Sequence, residues 1–191
     1  MGNHARRPLG GSVHNDDNSL TKSFWIILLA CAMNDDLTRR VGKLLSESNM
    51  TIGVCESCTG GMLGAMITSI PGSSKYFMGG VIAYSDLVKS KVVGVRAGTL
   101  KHFGAVSSKA AKEMALTVKK KIQTDIGVSI TGIAGPGGGT TEKPVGLVYI
   151  ALAIKNKVVV KRFTFKGGRQ RIRRTACKHA MDLLRKVLNG I

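Results

Sequence analysis

The sequence predicts an α/β fold: a three-layer α/β/α sandwich around a mixed, mainly parallel sheet of about five strands ending in a hairpin. Three observations predict it. Short apolar runs alternate with helical patterns from residue 34 onward, as parallel strands with crossover helices require. Two apolar runs, Leu147 to Ile154 and Val158 to Phe165, are joined by Lys155-Asn156-Lys157 alone, which reads as a hairpin. A chain of 191 residues that is 43% hydrophobic is long enough to bury one core without staples.

The elements follow in order. Met1 to Lys22 is rich in Gly, Asn, Asp and Ser without periodicity, and reads as disordered. Phe24 to Met33 is an abrupt apolar run. Lys22 before it and Ala30-Cys31-Ala32 within its end imitate a signal peptide. The polar leader is long for such a signal, so residues 1–33 are read as an extension outside the working fold, and 34–191 as a single domain. Asn34 or Asp35 caps a helix whose Leu37, Val41, Leu44 and Leu45 share a face. Met50 to Cys55 is a buried strand, Glu56 to Gly61 a loop, and Met62 to Ile70 a helix stopped by Pro71-Gly72. Phe77 to Tyr84 is the second strand, after which Ser85 or Asp86 caps a short helix through Val93. Ser107 caps a longer helix striped by Ala111, Met114, Ala115, Val118 and Ile122. Ile126 to Thr131 is the third strand, followed by a glycine-rich stretch to Gly146 and then the hairpin. Arg169 to Leu188 closes the chain as a basic amphipathic helix.

Charge narrows the function. Lys and Arg number 29 against 11 Asp and Glu, a formal +18, and twelve of the basic residues lie beyond residue 154 with Asp182 as their one acid. Such an end attracts nucleic acid, an anionic membrane surface or a small phosphorylated ligand, or is simply a solvated helix face. The Phe and Tyr residues beyond 140 (Tyr149, Phe163, Phe165) fall in strand patterns, which argues against a stacking platform for nucleic acid. No apolar run reaches the ~20 residues of a membrane span, and a cytoplasmic location is expected.

Two strand-to-helix or strand-to-strand loops carry small, donor-rich residues. In Glu56-Ser57-Cys58-Thr59-Gly60-Gly61, glycines admit a ligand to the backbone N–H groups, and the following helix start favours an anion. Thr131 to Thr140 resembles a phosphate cradle in composition but lacks the spacing of a triphosphate loop, and plain turn chemistry remains open. Tyr84, Ser85 and Lys89 form a third group at the end of the second strand. A lysine acts as a base only where burial or neighbouring charge depresses its pKa far below ~10.4; facing solvent, it does nothing. Cys55-Glu56-Ser57-Cys58 is formally C-x-x-C, read as two small buried thiols rather than a redox or metal pair. No metal and no cofactor are expected.

Together the segments Glu56–Gly61, Pro71–Ser74, Ala83–Lys89, Gly104–Ser107 and Thr131–Gly146 resemble, in this order, the CinA C-terminal domain family. The resemblance covers about Asp35 to Leu188 and lacks the larger CinA partner domain. Two positions depart from the pattern: Cys55 stands where the family commonly has Ala, and Gly168 where it has an acid before Arg169. The resemblance implies an amidohydrolase that turns nicotinamide mononucleotide and water into nicotinate mononucleotide and ammonia, serving pyridine-nucleotide recycling. It also implies a homodimer or larger assembly. On that reading Ser57 attacks the carboxamide carbon, neutral Lys89 takes the proton, and Tyr84 relays it to the ammonia. Backbone N–H groups around Thr59 and Gly60 hold the oxyanion. Glu56, Gly61, Thr131, Gly135, Pro136, Gly137, Gly138, Thr140 and Arg169 complete the expected substrate site, with Arg169 and the glycine-rich loop on the phosphate. Cys58 is a rival nucleophile without an evident partner base. A non-catalytic nucleotide-binding module and a basic nucleic-acid binder are the alternative functions.

Overall fold

A computed structural model of the chain describes residues 36–190. The leader to Lys22, the apolar run to Met33 and the caps expected at Asn34 or Asp35 lie outside the described residues. Helix α1 covers residues 36–47 and buries Val41 and Leu45. It is followed by β1 (Ile52–Glu56), α2 (Met62–Thr68), a 3-10 turn at Ser73–Lys75 and β2 (Phe77–Ile82). Then come a π-helix at Val88–Val93, α3 (Ala97–Phe103), α4 (Ser108–Ile122) and β3 (Ile126–Gly132). The hairpin β4 (Leu147–Ile154) and β5 (Lys157–Thr164) leads into α5 (Arg169–Leu188).

The five strands form one sheet in the order β2-β1-β3-β4-β5. β1 pairs parallel with β2 and β3, while β4 is antiparallel to both β3 and β5. Four strands therefore point one way and β4 alone is reversed. Strands β1 and β3 are interior and buried on both faces, which is why they read as continuous apolar runs rather than alternating ones.

The two faces are packed differently. On one, Ile52, Val54, Ile126, Val128, Ile130, Ile150 and Leu152 meet α1, α2 and α5 in the main core. On the other, small residues admit α4 closely: Ala111 and Ala115 pack on Ala151 and Ala153. At Gly127 any Cβ would sit 2.1 Å from the Ala115 carbonyl oxygen, so glycine is required there. The result is the expected helix–sheet–helix layering.

Several boundaries move. β2 ends at Ile82, two residues short of the expected Tyr84, and α2 ends at Thr68. The hairpin turn is the two residues Lys155-Asn156, with Lys155 at φ 49° and Lys157 already paired to Ile154. Ser85 does cap the next segment, accepting from the Val88 N–H at 3.2 Å, but that segment continues as a π-helix. Ser107 caps α4 as expected, accepting from the Ala110 N–H at 3.1 Å. The sequence pattern does not predict helix α3. Its apolar pattern is weak, and a tertiary contact organises it: Glu113 of α4 accepts from the Arg96 N–H at 2.9 Å and the Thr99 hydroxyl at 2.8 Å.

Strand polarity positions the site. β1, β2 and β3 all end at one edge of the sheet, and β5, parallel to them through β4, delivers the start of α5 to the same edge. Open α/β sheets bind ligands beyond the carboxyl ends of their strands.

Candidate active site

A cleft of about 290 Å³ opens at that edge. Ser57 and Cys58 reach it from the loop after β1, Tyr84 and Lys89 from the segment after β2, and Thr131 from the end of β3. Gly135, Gly137 and Gly138 come from the glycine-rich loop and Arg169 from the first turn of α5. Residues separated by more than a hundred positions in the chain thus share one cavity.

The loop after β1 is held rigidly. The Ser57 N–H donates to the Ile130 carbonyl at 2.9 Å, continuing the sheet pairing one residue past the strand. Glu56, only 1% exposed, turns away from the cleft. Its carboxylate accepts from the backbone N–H groups of Gly61 (3.1 Å), Leu63 (3.1 Å) and Gly64 (2.8 Å). These are orphan donors at the start of α2, and a carboxylate satisfies both their hydrogen bonds and the helix dipole. The structure therefore makes Glu56 the organiser of the loop, and corrects its expected place among the substrate contacts.

The same hydrogen bonds revise the oxyanion donors. The Gly60 N–H closes a tight turn onto the Ser57 carbonyl at 3.1 Å, and the Gly61 N–H is held by Glu56. Thr59, Gly60 and Gly61 lie behind the cleft wall. The residue that accompanies Ser57 at the wall itself is Cys58.

Lys89 is the most informative side chain. It is 2% exposed, which excludes the solvent-facing placement that the sequence alone leaves open. Burial lowers its pKa, since an ammonium loses more than an amine on leaving water; Asp86, 3.8 Å away and itself exposed, pulls part of the way back. The Lys89 Nζ donates to the Tyr84 carbonyl at 3.4 Å, so the contact between these two residues is through the backbone rather than the Tyr84 hydroxyl. A π-helix carries Lys89, a local widening that often accompanies functional residues.

Arg169 spans the cleft mouth. Its Nη1 donates to the Gly135 carbonyl and its Nη2 to the Tyr84 hydroxyl, each at 2.8 Å. A guanidinium has five N–H donors, so these contacts leave others for a ligand. The missing acid at Gly168 does not prevent Arg169 from reaching the site. In the glycine-rich loop, Gly137 has open space around it and Gly135 and Gly138 sit at φ 78° and 83°. Pro136 has no N–H to offer and, like Thr140, does not line the cleft. The Thr140 hydroxyl is spent on Glu142 at 2.9 Å and its N–H on the Lys143 carbonyl at 2.9 Å. Thr131 forms the floor, its hydroxyl donating to the Ala105 carbonyl at 2.9 Å.

The thiols are poor nucleophiles as placed. Burial pushes Cys58 up to about 11 and Cys55 up to about 12. Both are unpaired, and they pack into different core clusters, so the C-x-x-C is a coincidence of spacing. Among the described residues no cluster of His, Cys, Asp and Glu has the makings of a metal site, and no helix is long and apolar enough to cross a membrane. Sequence reasoning missed Asp86, the Ala105-Val106 wall and Arg173. Asp86 and Ala105-Val106 lie inside the motif segments Ala83–Lys89 and Gly104–Ser107, which were the signal available, whereas Arg173 carries none and meets the loop only by tertiary packing.

Comparison with known proteins agrees with this fold. A family profile described as the CinA C-terminal domain matches residues 34–188. The chain is 52% identical over 168 residues to a CinA-like protein of Thermosynechococcus vestitus, covering 85% of this chain and 40% of that one. It is 52% identical over 161 residues to a CinA-like protein of Gloeothece citriformis, covering 82% and 38%. The chain thus spans about two fifths of the length of these curated relatives. Among solved structures, a competence-damaged protein (CinA) superfamily protein of Klebsiella pneumoniae superposes with a TM-score of 0.80 at 32% identity, covering 83% of this chain and 99% of that one. The competence/damage inducible protein CihA of Agrobacterium tumefaciens gives 0.79 at 36% identity, covering 82% and 95%.

Proposed function

The chain belongs to the CinA C-terminal domain family, and from that premise we propose that it hydrolyses the carboxamide of nicotinamide mononucleotide to nicotinate mononucleotide and ammonia. One observation carries the reading: Ser57 and a buried, pKa-depressed Lys89 line the same cleft. A serine hydroxyl is a weak nucleophile until a base takes its proton, and a lysine is a base only when it is neutral. Burial shifts Lys89 toward that neutral form.

The steps balance without a further reactant. Ser57 Oγ adds to the carboxamide carbon while its proton passes to the Lys89 amine, and the carbonyl oxygen becomes an oxyanion facing the Cys58 amide. The carbon–nitrogen bond breaks as the departing nitrogen takes a proton, leaving ammonia and an acyl-serine. Tyr84, which accepts from Arg169, gives that nitrogen its phenolic proton and takes up the proton held by Lys89, so that Lys89 is a free amine again. Water then attacks the ester with Lys89 again as base; the acyl–Oγ bond breaks as Lys89 returns that proton to Ser57 Oγ, and the acid leaves as its carboxylate. Arg169 and the exposed amides of the Gly137-Gly138 crown hold the phosphate.

Incubating the purified chain with nicotinamide mononucleotide and assaying ammonia and the acid product tests the proposal. Stoichiometric release, lost in Ser57→Ala, supports it. Saturable binding of the nucleotide without ammonia would make the protein a binding module instead.

A further inference from the structure

One half-buried cation beside the nucleophile loop has no part in the scheme above. Arg173, one helical turn after Arg169, donates from Nη2 to the Thr59 carbonyl at 2.6 Å and from Nη1 to Gln170 Oε1 at 3.2 Å. Its Nε is buried and, among the described residues, unpartnered. The guanidinium lies close over Gly60, where a Cβ would stand 3.5 Å from Nη2. Unlike Arg169, it does not line the cleft; it stands behind the loop.

Hydrogen bonds run on from this contact in a single direction. The Thr59–Gly60 peptide accepts from Arg173 at its carbonyl and donates at its N–H to the Ser57 carbonyl, 3.1 Å away. That carbonyl belongs to the Ser57–Cys58 peptide, which is trans, so its N–H on Cys58 points the opposite way. Ser57 and Cys58 are the two loop residues at the cleft wall. Each peptide is polarised by the bond it accepts, a strengthening of roughly 10–30% per bond in a chain, and the first bond here is charge-assisted.

We propose that Arg173 is a positioning residue for the oxyanion. It anchors and polarises a chain of two peptides whose last N–H, on Cys58, receives the substrate carbonyl oxygen as that oxygen takes on charge. The inference rests on the amidase reading only in needing an acyl-type centre attacked by Ser57; it does not depend on which amide is the substrate.

The test compares the full chain with Arg173→Gln and Arg173→Lys in two assays. One is ammonia release from nicotinamide mononucleotide, resolved into kcat and KM. The other is the rate at which a fluorophosphonate modifies Ser57, read by intact mass. Loss of an oxyanion donor costs about 10²–10³ in kcat, so weakening one through its relay is expected to cost Arg173→Gln about tenfold to a hundredfold. KM stays within about twofold, labelling slows by a similar factor, and Arg173→Lys recovers part of both losses. Unchanged kcat and labelling in a folded Arg173→Gln overturns the inference, as does a loss confined to KM. Should Arg173→Gln fail to fold, Arg173→Lys decides: a smaller fall in kcat at steady KM supports the relay, and none overturns it. If the unmodified chain releases no ammonia yet Ser57 labels, and labels more slowly in the variants, the substrate assignment fails while Arg173 stands. If Ser57 of the unmodified chain does not label, the Arg173 inference fails.

Discussion

The loop after β1 and the loop after β3 have similar compositions, rich in glycine, threonine and other small residues, but the fold treats them oppositely. Glu56 through Thr59 are buried and tied from three directions: by Ile130 of the sheet, by the Glu56 carboxylate on α2, and by Arg173 of α5. Pro136 through Thr140 are exposed. Their loop is stitched at its neck, where Ile133 donates to Leu147 at 2.9 Å and Gly146 to Ile133 at 2.7 Å. The difference teaches a division of labour. Chemistry needs donors and a nucleophile fixed to a fraction of an ångström, whereas an anion can be gripped by whichever amides face it. Changes in the first loop should therefore strike kcat or stability, and changes in the second KM.

The sharpest break in that contrast comes from Ser57→Ala, expected to lower ammonia release about 10³-fold or more while leaving the fold intact by circular dichroism. A comparable loss in Cys58→Ser would transfer the nucleophile to the thiol. Because burial holds that thiol protonated up to about 11, Cys58→Ser is expected to lose less than about tenfold.

Lys89→Met should abolish most activity, about 10²–10⁴-fold, and yet stabilise the protein near neutral pH. In the folded chain the Lys89 pKa is lowered, by burial first. Between the folded and unfolded values the unfolded chain binds the extra proton, so stability rises with pH through that window and the cost of burying the charge is fully present below it. Urea midpoints of the variant should exceed those of the unaltered chain at pH 7, with the gap closing as pH approaches the ordinary lysine range. For the same reason kcat/KM should rise with pH on a limb that lies below 10.5, the ordinary lysine value. A limb at the ordinary value would return Lys89 to a structural role.

Glu56→Ala strands three helix-start N–H groups in the buried loop, at a cost of about 3 kcal/mol or more. It should unfold well before Thr140→Ala, whose side chain is exposed and bonds only Glu142 and Lys143. Smallest of all is Gly137→Ala. With nothing within 4 Å of its new methyl, it should leave the melting temperature unchanged and raise KM by a few-fold at most. A large stability loss there would show that the second loop is as tightly built as the first.

Much of this molecule can be read along the chain. The strands β1, β3 and β4 and the helices α4 and α5 follow from apolar period and caps, because burying an amphipathic face is a local pattern with a tertiary purpose. Helix α5 runs from Arg169 to Leu188 as its periodicity predicts. The family and its three site segments are equally legible, as ordered motifs. Helix α3 is not, since Glu113 of another helix holds its start. Nor are the roles of individual residues within the motifs: Glu56, Thr140 and Arg169 are all polar loop or helix-start residues, and nothing in the sequence says that the first caps a helix, the second serves its own loop and the third spans a cleft.

What the sequence determined by itself is the set of elements and the groups capable of chemistry, because propensity, periodicity and side-chain type are properties of neighbouring residues. What the tertiary structure alone decided is which of those groups lose water and which face one another. A lysine's basicity depends on the dielectric around its nitrogen, and a carboxylate's use depends on which donors reach it first. Both are set by strands and helices that the chain brings together from distant positions.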